Sequence, residues 1–299
     1  MNQYRSKQNR NLSINKIKLY VEPRKNVISQ YEIPEGEPEM SEFESGFLCG
    51  ILKDYKPKKI VEVGVAGGAT TAIILECMEI LDVEYKMFSI DFAKKFYKKP
   101  TKQSGYLANQ IISDKHLEDR HKFFLGDIAY NFIDSIGGEI DCLILDTMHL
   151  VPGEVLDAIT LIPFMKKGGI IIMHDIAWNL YSDVKYGNAT GLIMASAVGR
   201  KYLNYDSTRK ELYPNIGAFM VDESTIENIS NLFFQLFTTW RYIPSEKQIC
   251  AYRKAIEELY TDIEVELFDM ALELNKRSVG FKTRIKEAIK MVLRGYTRG

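Results

Sequence analysis

The chain has 299 residues, of which 46% are hydrophobic and 26% are charged. These fractions are typical of a globular protein and exclude a disordered, collagen-like or disulfide-scaffold chain. The 39 Lys and Arg residues nearly balance the 40 Asp and Glu residues, and the net charge is -1. The molecule as a whole therefore lacks the basic field with which proteins attract nucleic acid, and we expect no nucleic-acid partner.

The charge is nevertheless unevenly distributed along the chain. Residues 1–25 and 276–299 are strongly basic, so the segment between them is acidic. Residues 1–20 contain no apolar stretch of the roughly 7–15 residues that a secretory signal needs, and no run approaches the roughly 18 apolar residues of a membrane span. The cysteines are far apart and form no CxxC pair. We therefore expect a cytoplasmic protein with reduced thiols.

Residues 1–40 are basic at first and then rich in Glu and Pro, which predicts an irregular extension. Ser41 and Glu44 have the spacing of a capping box, and the apolar residues that follow recur at helical intervals. This pattern predicts a helix over 42–54.

An alternation of apolar runs and helical patterns follows. Strands are predicted over 60–68, 85–91, 122–127, 140–146 and 168–175, with helical patterns following the first glycines and over 104–117 and 152–165. Such alternation implies a parallel sheet covered on both faces. The segments 200–205 and 217–222 would complete the sheet, as an antiparallel hairpin. The predicted fold is α/β, a doubly wound and mostly parallel seven-stranded sheet.

Beyond residue 222 the strands stop, and helical spacing appears over 224–237, 246–276 and 281–293. The predicted organisation is therefore an extension (1–40), an α/β domain (41–222) and a helical C-terminal region (223–299). The helix over 281–293 has basic residues opposite its apolar face. We favour its packing on its own domain or on a twin subunit in a homodimer over contact with an anionic membrane surface.

A glycine-rich turn joins the first predicted strand of the sheet to its helix. The segment has the pattern E-x-G-x-x-x-G, formed by Glu62, Gly64 and Gly68, and Thr70 follows. Glycines allow a ligand to approach the backbone closely, and parallel sheets bind ligands beyond the carboxyl ends of their strands. Ala66 breaks the dinucleotide fingerprint, and there is no GK[ST] sequence for a P-loop.

This turn, followed by Asp91 at the end of the next strand, resembles the first two motifs of class I S-adenosylmethionine-dependent methyltransferases. The resemblance covers roughly residues 41–222 and implies S-adenosylmethionine as cofactor. It implies that the glycine turn receives the amino-acid part of the cofactor and that Asp91 holds the ribose hydroxyls. Asp127 and Ile128 fall where that family contacts adenine.

Two of the four histidines follow neighbouring strands, in the segments Asp146-Thr-Met-His149 and His174-Asp175. Because adjacent parallel strands end at the same edge of a sheet, we expect these four side chains to converge beside the cofactor pocket. Carboxylates and imidazoles are suitable ligands for a divalent cation, which can lower the pKa of an acceptor hydroxyl.

The cluster resembles the metal-dependent O-methyltransferases, including the catechol-type and macrocin-type enzymes. By this resemblance Asp146, His174 and Asp175 become metal ligands and His149 the general base. His174 replaces an acid of the family pattern, which favours manganese, iron or zinc over magnesium. A metal-free site with His174 as an alternative base remains open.

The leading hypothesis is O-methylation of a sugar or other small polyol. The basic C-terminal tail and the PGE-x-LD pattern at 152–157 resemble methyltransferases of surface-polysaccharide gene clusters, and this resemblance implies a sugar substrate. A metal-dependent hydroxylase on the same scaffold is the first alternative, suggested by the two histidines with a carboxylate. A cofactor-binding scaffold protein without catalysis is the second.

Overall fold

The computed structural model describes residues 14–31, 33–34, 37–178, 188–204 and 214–278. Its strands form one eight-stranded sheet in the order β1-β7-β8-β6-β5-β2-β3-β4. The strands are β1 (Ile14–Asn15), β2 (Lys59–Val63), β3 (Lys86–Asp91), β4 (His121–Leu125), β5 (Ile140–Leu145), β6 (Met165–His174), β7 (Lys201–Leu203) and β8 (Ile216–Met220). Only β8 is antiparallel to its neighbours, β6 and β7. This topology confirms the predicted doubly wound seven-stranded α/β fold, to which the two-residue β1 adds an edge.

The helices are α1 (Glu22–Gln30), α2 (Glu42–Tyr55), α3 (Ala69–Ile80), α4 (Ala108–Asp114), α5 (Ile133–Ile136), α6 (Gly153–Leu161), α7 (Ala189–Ser196), α8 (Glu223–Glu227), α9 (Ser230–Phe233) and α10 (Glu246–Leu259). Residues 262–278 form a further helix. The capping box of Ser41 and Glu44 is present at the start of α2. Among the described residues, no helix is both long and apolar enough to cross a membrane.

The sheet is buried on both faces, which explains why its strands are continuous apolar runs. Successive residues of β2 belong to different cores, with Ile60 on the side of α2 and α3 and Val61 on the side of α6. The C-terminal helices pack into this second core through fully buried residues such as Phe233 and Phe268. Residues 223–278 therefore share one hydrophobic core with the sheet.

The prediction of an irregular extension over 1–40 is wrong for residues 22–30, which form α1. Pro23 occupies the first turn of this helix, where the missing N–H group is not needed, and the fully buried Val27 packs it onto the domain. Asn26 also donates to Glu76 of α3, with 3.0 Å between Nδ2 and Oε1. Residues 22–30 contain too few apolar residues to show helical periodicity, which is why the sequence did not predict this helix.

Two other differences concern helices. The pattern over 246–276 is interrupted at Tyr260 and Thr261, because the backbone N–H of Thr261 bonds to the carboxylate of Glu264 and starts a new helix. Helix α7 was not predicted from the sequence. The predicted basic helix over 281–293 lies outside the described residues.

Candidate active site

The register of the sheet places the predicted site residues next to one another. Val63 pairs with Ile90 on one side and with Leu145 on the other, so Gly64 follows β2 between Asp91 and Asp146. Leu145 in turn pairs with Met173, which brings Asp146 beside His174 at the same edge.

The backbone of the turn after β2 requires glycine at two positions. Gly64 and Gly68 have φ values of +97° and +89°, which only glycine adopts without strain. A Cβ atom on Gly64 would lie 1.9 Å from the carbonyl oxygen of Asp146, and one on Gly68 would lie 2.7 Å from the Cα atom of Gly105. The turn is therefore in direct backbone contact with the end of β5.

Asp91 holds this turn from the end of β3. Its Oδ2 accepts hydrogen bonds from the backbone N–H groups of Val65 (3.0 Å) and Ala66 (2.9 Å), and its Oδ1 accepts from Ala93 (2.7 Å). The carboxylate predicted to bind the ribose thus also fixes the conformation of the glycine turn. Its contact with ribose stays a prediction.

Glu62 lies beneath the turn, with 1% of its surface exposed. Its Oε2 accepts a hydrogen bond from the Thr71 hydroxyl at 2.7 Å, whereas Oε1 has no hydrogen-bond partner among the described residues. Burial raises the pKa of Glu62 to about 8, so this side chain is a neutral carboxylic acid at pH 7. Glu62 supports the turn from below, and its role in cofactor binding stays a prediction.

The predicted adenine region lies against the C-terminal helices. Asp127 accepts from Lys247 of α10, with 2.8 Å between Oδ2 and Nζ, and its Oδ1 accepts from the backbone N–H of Ile128 at 2.9 Å. Partial burial opposes ionisation of Asp127, but Lys247 and Ile128 outweigh it and lower the pKa. The involvement of Lys247 was not predicted, because nothing in its local sequence connects it to β4.

The structure brings the four residues of the histidine cluster together. Nδ1 of His174 lies 2.9 Å from Oδ1 of Asp146, and Nε2 of His149 lies 3.1 Å from Oδ2 of Asp175. Nε2 of His149 is also 3.7 Å from Oδ1 of Asp146. His149 and Asp175 have positive φ values of 55° and 56°.

Three residues that were not predicted from the sequence as site residues complete the cluster. Glu44 of α2 places Oε1 3.4 Å from Nε2 of His174, and Glu154 of α6 places Oε2 3.3 Å from Nδ1 of His149. These are ion-pair distances without hydrogen-bond geometry. Asn215 donates from Nδ2 to Glu44 at 2.9 Å and to Asp175 at 2.6 Å.

The surrounding carboxylates keep both imidazoles protonated. Burial alone would lower the pKa of His149, but Glu154 and Asp175 raise it to about 10. Burial also opposes the charge on His174, and Asp146 and Glu44 nevertheless raise its pKa well above the usual value. The pKa of Glu44 falls to about 2, because His174 and Ser41 outweigh the effect of burial. At neutral pH His149 is therefore the positively charged imidazolium, with a proton on each nitrogen. It can act as a base only after it has lost one of these protons.

The donor atoms of this cluster lie close enough together to hold a divalent cation, which would displace the added protons of the imidazoles. Two groups of three residues have ligand atoms within 4.8 Å of one another: Asp146, His149 and His174, and Glu44, His174 and Asp175. Nε2 of the buried His174 has no hydrogen-bond partner in the part of the chain that the structure describes. The predicted ligands Asp146 and Asp175 fall into different groups, and His174 belongs to both. The predicted base, His149, joins the first group.

A small polar cleft lies above the glycine turn. It is lined by Asp146, by residues 64–70 of the turn, which include the predicted cofactor residues Gly64, Gly68 and Thr70, and by Glu37 and Glu39 of the N-terminal extension. The two glutamates were not predicted to lie here, since their segment showed no periodic pattern. The cleft joins the predicted cofactor site directly to the histidine cluster through Asp146.

Comparison with known protein families supports a methyltransferase-type domain. Residues 61–176 match the family model described as "Methyltransferase domain". Together with the sheet topology, this match confirms, for residues 61–176, the resemblance to class I, S-adenosylmethionine-dependent methyltransferases noted from the sequence. The chain is accordingly an enzyme of the methyltransferase class. No curated protein matches the chain.

Several solved structures are similar at low identity. The SAH-bound methyltransferase PaMTH1 of Podospora anserina is 15% identical, with 68% of this chain and 90% of that chain covered and a TM-score of 0.47. The O-methyltransferase of Bacillus cereus in complex with SAH is 15% identical, with coverages of 67% and 90% and a TM-score of 0.43. The MycE methyltransferase of the mycinamycin pathway, in complex with Mg, SAH and mycinamycin VI, is 17% identical, with coverages of 68% and 55% and a TM-score of 0.43. Similarity at this level assigns no substrate to this chain.

Proposed function

We propose that this protein transfers the methyl group of S-adenosylmethionine to a hydroxyl oxygen of a sugar or another small polyol. One observation carries the proposal: Asp146 belongs both to the cleft above the glycine turn and to the carboxylate–imidazole cluster. An acceptor hydroxyl bound at the cluster would therefore lie beside the methyl group of a cofactor bound at the turn.

The reaction is an in-line displacement. The acceptor oxygen forms a bond to the methyl carbon, the bond between carbon and sulfur breaks, and its electron pair remains on sulfur to give S-adenosylhomocysteine. The oxygen must be held about 3 Å from the methyl carbon, and its proton must leave. The carboxylates of the cluster suit a polyol because they accept hydrogen bonds from its hydroxyl groups.

His149 is the proposed proton acceptor. Glu154 faces Nδ1 and Asp175 faces Nε2, which orients the ring, and the imidazolium must lose one proton before it can accept the proton of the acceptor hydroxyl. A positive charge beside the ring, such as the cofactor's sulfonium, would lower its pKa, because like charges disfavour the imidazolium.

In the alternative, metal-dependent arrangement His149 is a ligand and not the base, and Asp146 and the two imidazoles would hold a divalent cation, with Asp175 and Glu44 close by. When bound, such a cation would lower the pKa of an acceptor hydroxyl and fix its direction. Two nitrogens and one oxygen form a softer donor set than magnesium prefers. The same donor set also occurs in non-heme iron oxygenases, which keeps the hydroxylase as a second candidate on this scaffold.

The test is methyl transfer from labelled S-adenosylmethionine to a panel of saccharides and polyols, with the metal content of the purified protein measured in parallel. We expect a labelled methyl ether from the wild type and loss of most transfer in His149→Ala, with cofactor binding retained. Transfer by this variant at the wild-type rate would remove His149 as the base. Cofactor binding without transfer to any acceptor would favour a scaffold protein, and bound iron without cofactor binding would favour the hydroxylase.

A further inference from the structure

The N-terminal extension contributes acidic side chains to the cleft above the glycine turn. Glu37 and Glu39 line this cleft with residues 64–70 and Asp146. The side chains are partly shielded from solvent, with 14% of Glu37 and 33% of Glu39 exposed. They precede α2, whose capping box fixes the chain at Ser41 directly after them.

Each of the two glutamates is anchored through one carboxylate oxygen. Oε1 of Glu37 accepts from Nζ of Lys99, and Oε1 of Glu39 accepts from Nζ of Lys98 and from the Tyr97 hydroxyl. No hydrogen bond to the Oε2 atom of either residue occurs within the described residues. The anchors hold the strap formed by residues 37–40 against the loop after β3 and leave one acceptor oxygen of each carboxylate for a ligand.

The other residues that line the cleft are those of the glycine turn and Asp146. Asp146 is the one further carboxylate among them, and its Oδ1 is bonded to His174 at 2.9 Å. A ligand whose amino-acid part enters this cleft brings an ammonium group into a place where Glu37 and Glu39 offer negative charge. Charge-assisted hydrogen bonds of this kind are about twice as strong as neutral ones.

We infer that Glu37 and Glu39 bind the α-ammonium group of the cofactor and so determine its affinity. This inference rests on the proposed function, because it takes S-adenosylmethionine as the ligand of the cleft. It assigns the N-terminal strap to the cofactor site, where its residues act by direct contact.

The test is calorimetry of the full-length protein with three probes: S-adenosylmethionine, S-adenosylhomocysteine and 5′-methylthioadenosine, which lacks the amino-acid part. In Glu37→Gln and Glu39→Gln we expect the affinity for the first two probes to fall about tenfold or more, equally for both, since both carry the ammonium group. The affinity for 5′-methylthioadenosine stays at the wild-type value. The matched control is Glu42→Gln, an exposed glutamate in the first turn of α2.

A second variant separates direct contact from anchoring of the strap. Lys99→Gln breaks the same ion pair as Glu37→Gln but keeps the carboxylate in the cleft. We expect Lys99→Gln to bind S-adenosylmethionine at least as tightly as the wild type. Equal losses in Lys99→Gln and Glu37→Gln, unchanged affinities in the glutamine variants, or a loss confined to S-adenosylmethionine would each overturn the inference. If the wild type itself binds none of the three probes, the proposed function fails instead.

Discussion

Oδ1 of Asp146 lies 2.9 Å from Nδ1 of His174, which connects the ends of β5 and β6 at the edge where the cofactor cleft opens. Asp146 is held ionised here, because His174 outweighs the effect of burial and lowers its pKa. The carboxylate therefore stands between the two functional parts of the site. One part is the glycine turn, and the other is the histidine cluster.

Replacing Asp146 by Asn is expected to reduce methyl transfer about 100- to 10,000-fold. The amide removes the negative charge that compensates His174, and it offers one acceptor oxygen where the carboxylate offers two. Transfer kinetics with saturating cofactor would measure the loss, with S-adenosylhomocysteine binding as a check on the cleft. Asp134→Asn, at an exposed position, is the control and should keep the wild-type rate. Retention of a tenth of the activity in Asp146→Asn would contradict the assigned role.

The contact between the turn and β5 leads to a second prediction. In Gly64→Ala the new Cβ atom would lie 1.9 Å from the Asp146 carbonyl oxygen, and φ would remain at +97°. Both effects act on backbone, which moves less easily than a side chain, so we expect a loss of about 3 kcal/mol or more in the free energy of unfolding. Any folded variant should bind S-adenosylhomocysteine more weakly.

Gly138→Ala provides the comparison, since a Cβ atom there meets nothing within 4 Å. Urea unfolding of both variants would show the difference. Similar midpoints would indicate that the turn adapts to a side chain, and the proposed close contact would then be wrong.

The site residues that the sequence predicts are those whose positions follow from the order of the strands alone. Asp146 and His174 lie at the ends of the neighbouring strands β5 and β6, and Asp91 ends β3, on the other side of β2. The shared edge of these parallel strands places the three residues near one another without further information. Asn215 could not be found this way, because it precedes the antiparallel β8, and only the pairing of Ile216 with His174 brings it beside Asp175.

Glu44, Glu37 and Glu39 were missed for a different reason. The capping-box pattern accounts for Glu44 within its own helix, and its Oε2 does accept from the Ser41 backbone N–H at 2.7 Å. Its other oxygen faces His174, which only the packing of α2 on the sheet reveals. Glu37 and Glu39 lie in a segment without periodicity, so their position depends entirely on tertiary contacts with Lys98 and Lys99.

The shared core of the C-terminal helices gives a third prediction. Phe268 is fully buried in the core beneath the sheet, whereas Met270, two residues further along the same helix, is 55% exposed. Phe268→Ala should lower the free energy of unfolding by about 3–5 kcal/mol through lost burial and the cavity left behind. Met270→Ala should change it by about 0.5 kcal/mol or less.

Thermal or urea unfolding, followed by circular dichroism, would measure the stability of both variants. If residues 223–278 folded as a separate unit, Phe268→Ala would split the transition into two steps. A single transition shifted as a whole is the expected result for one shared core.

The buried Glu62 makes stability depend on pH in a specific direction. Its pKa in the folded protein is about 8, compared with an ordinary value of 4.5. Between pH 5 and 8 the folded state therefore holds one proton that the unfolded state has lost. The contribution of Glu62 to stability is present below pH 4.5 and falls by about 1.4 kcal/mol for each pH unit through this window.

In Glu62→Gln this dependence is absent, because the amide does not titrate and its oxygen still accepts from Thr71. The measurement is urea unfolding of both proteins at pH 5.5, 6.5 and 7.5, in which the variant should gain stability relative to the wild type at each step. The exposed Glu84→Gln should show no such gain, and a constant difference between Glu62→Gln and wild type would mean that Glu62 is ionised beneath the turn.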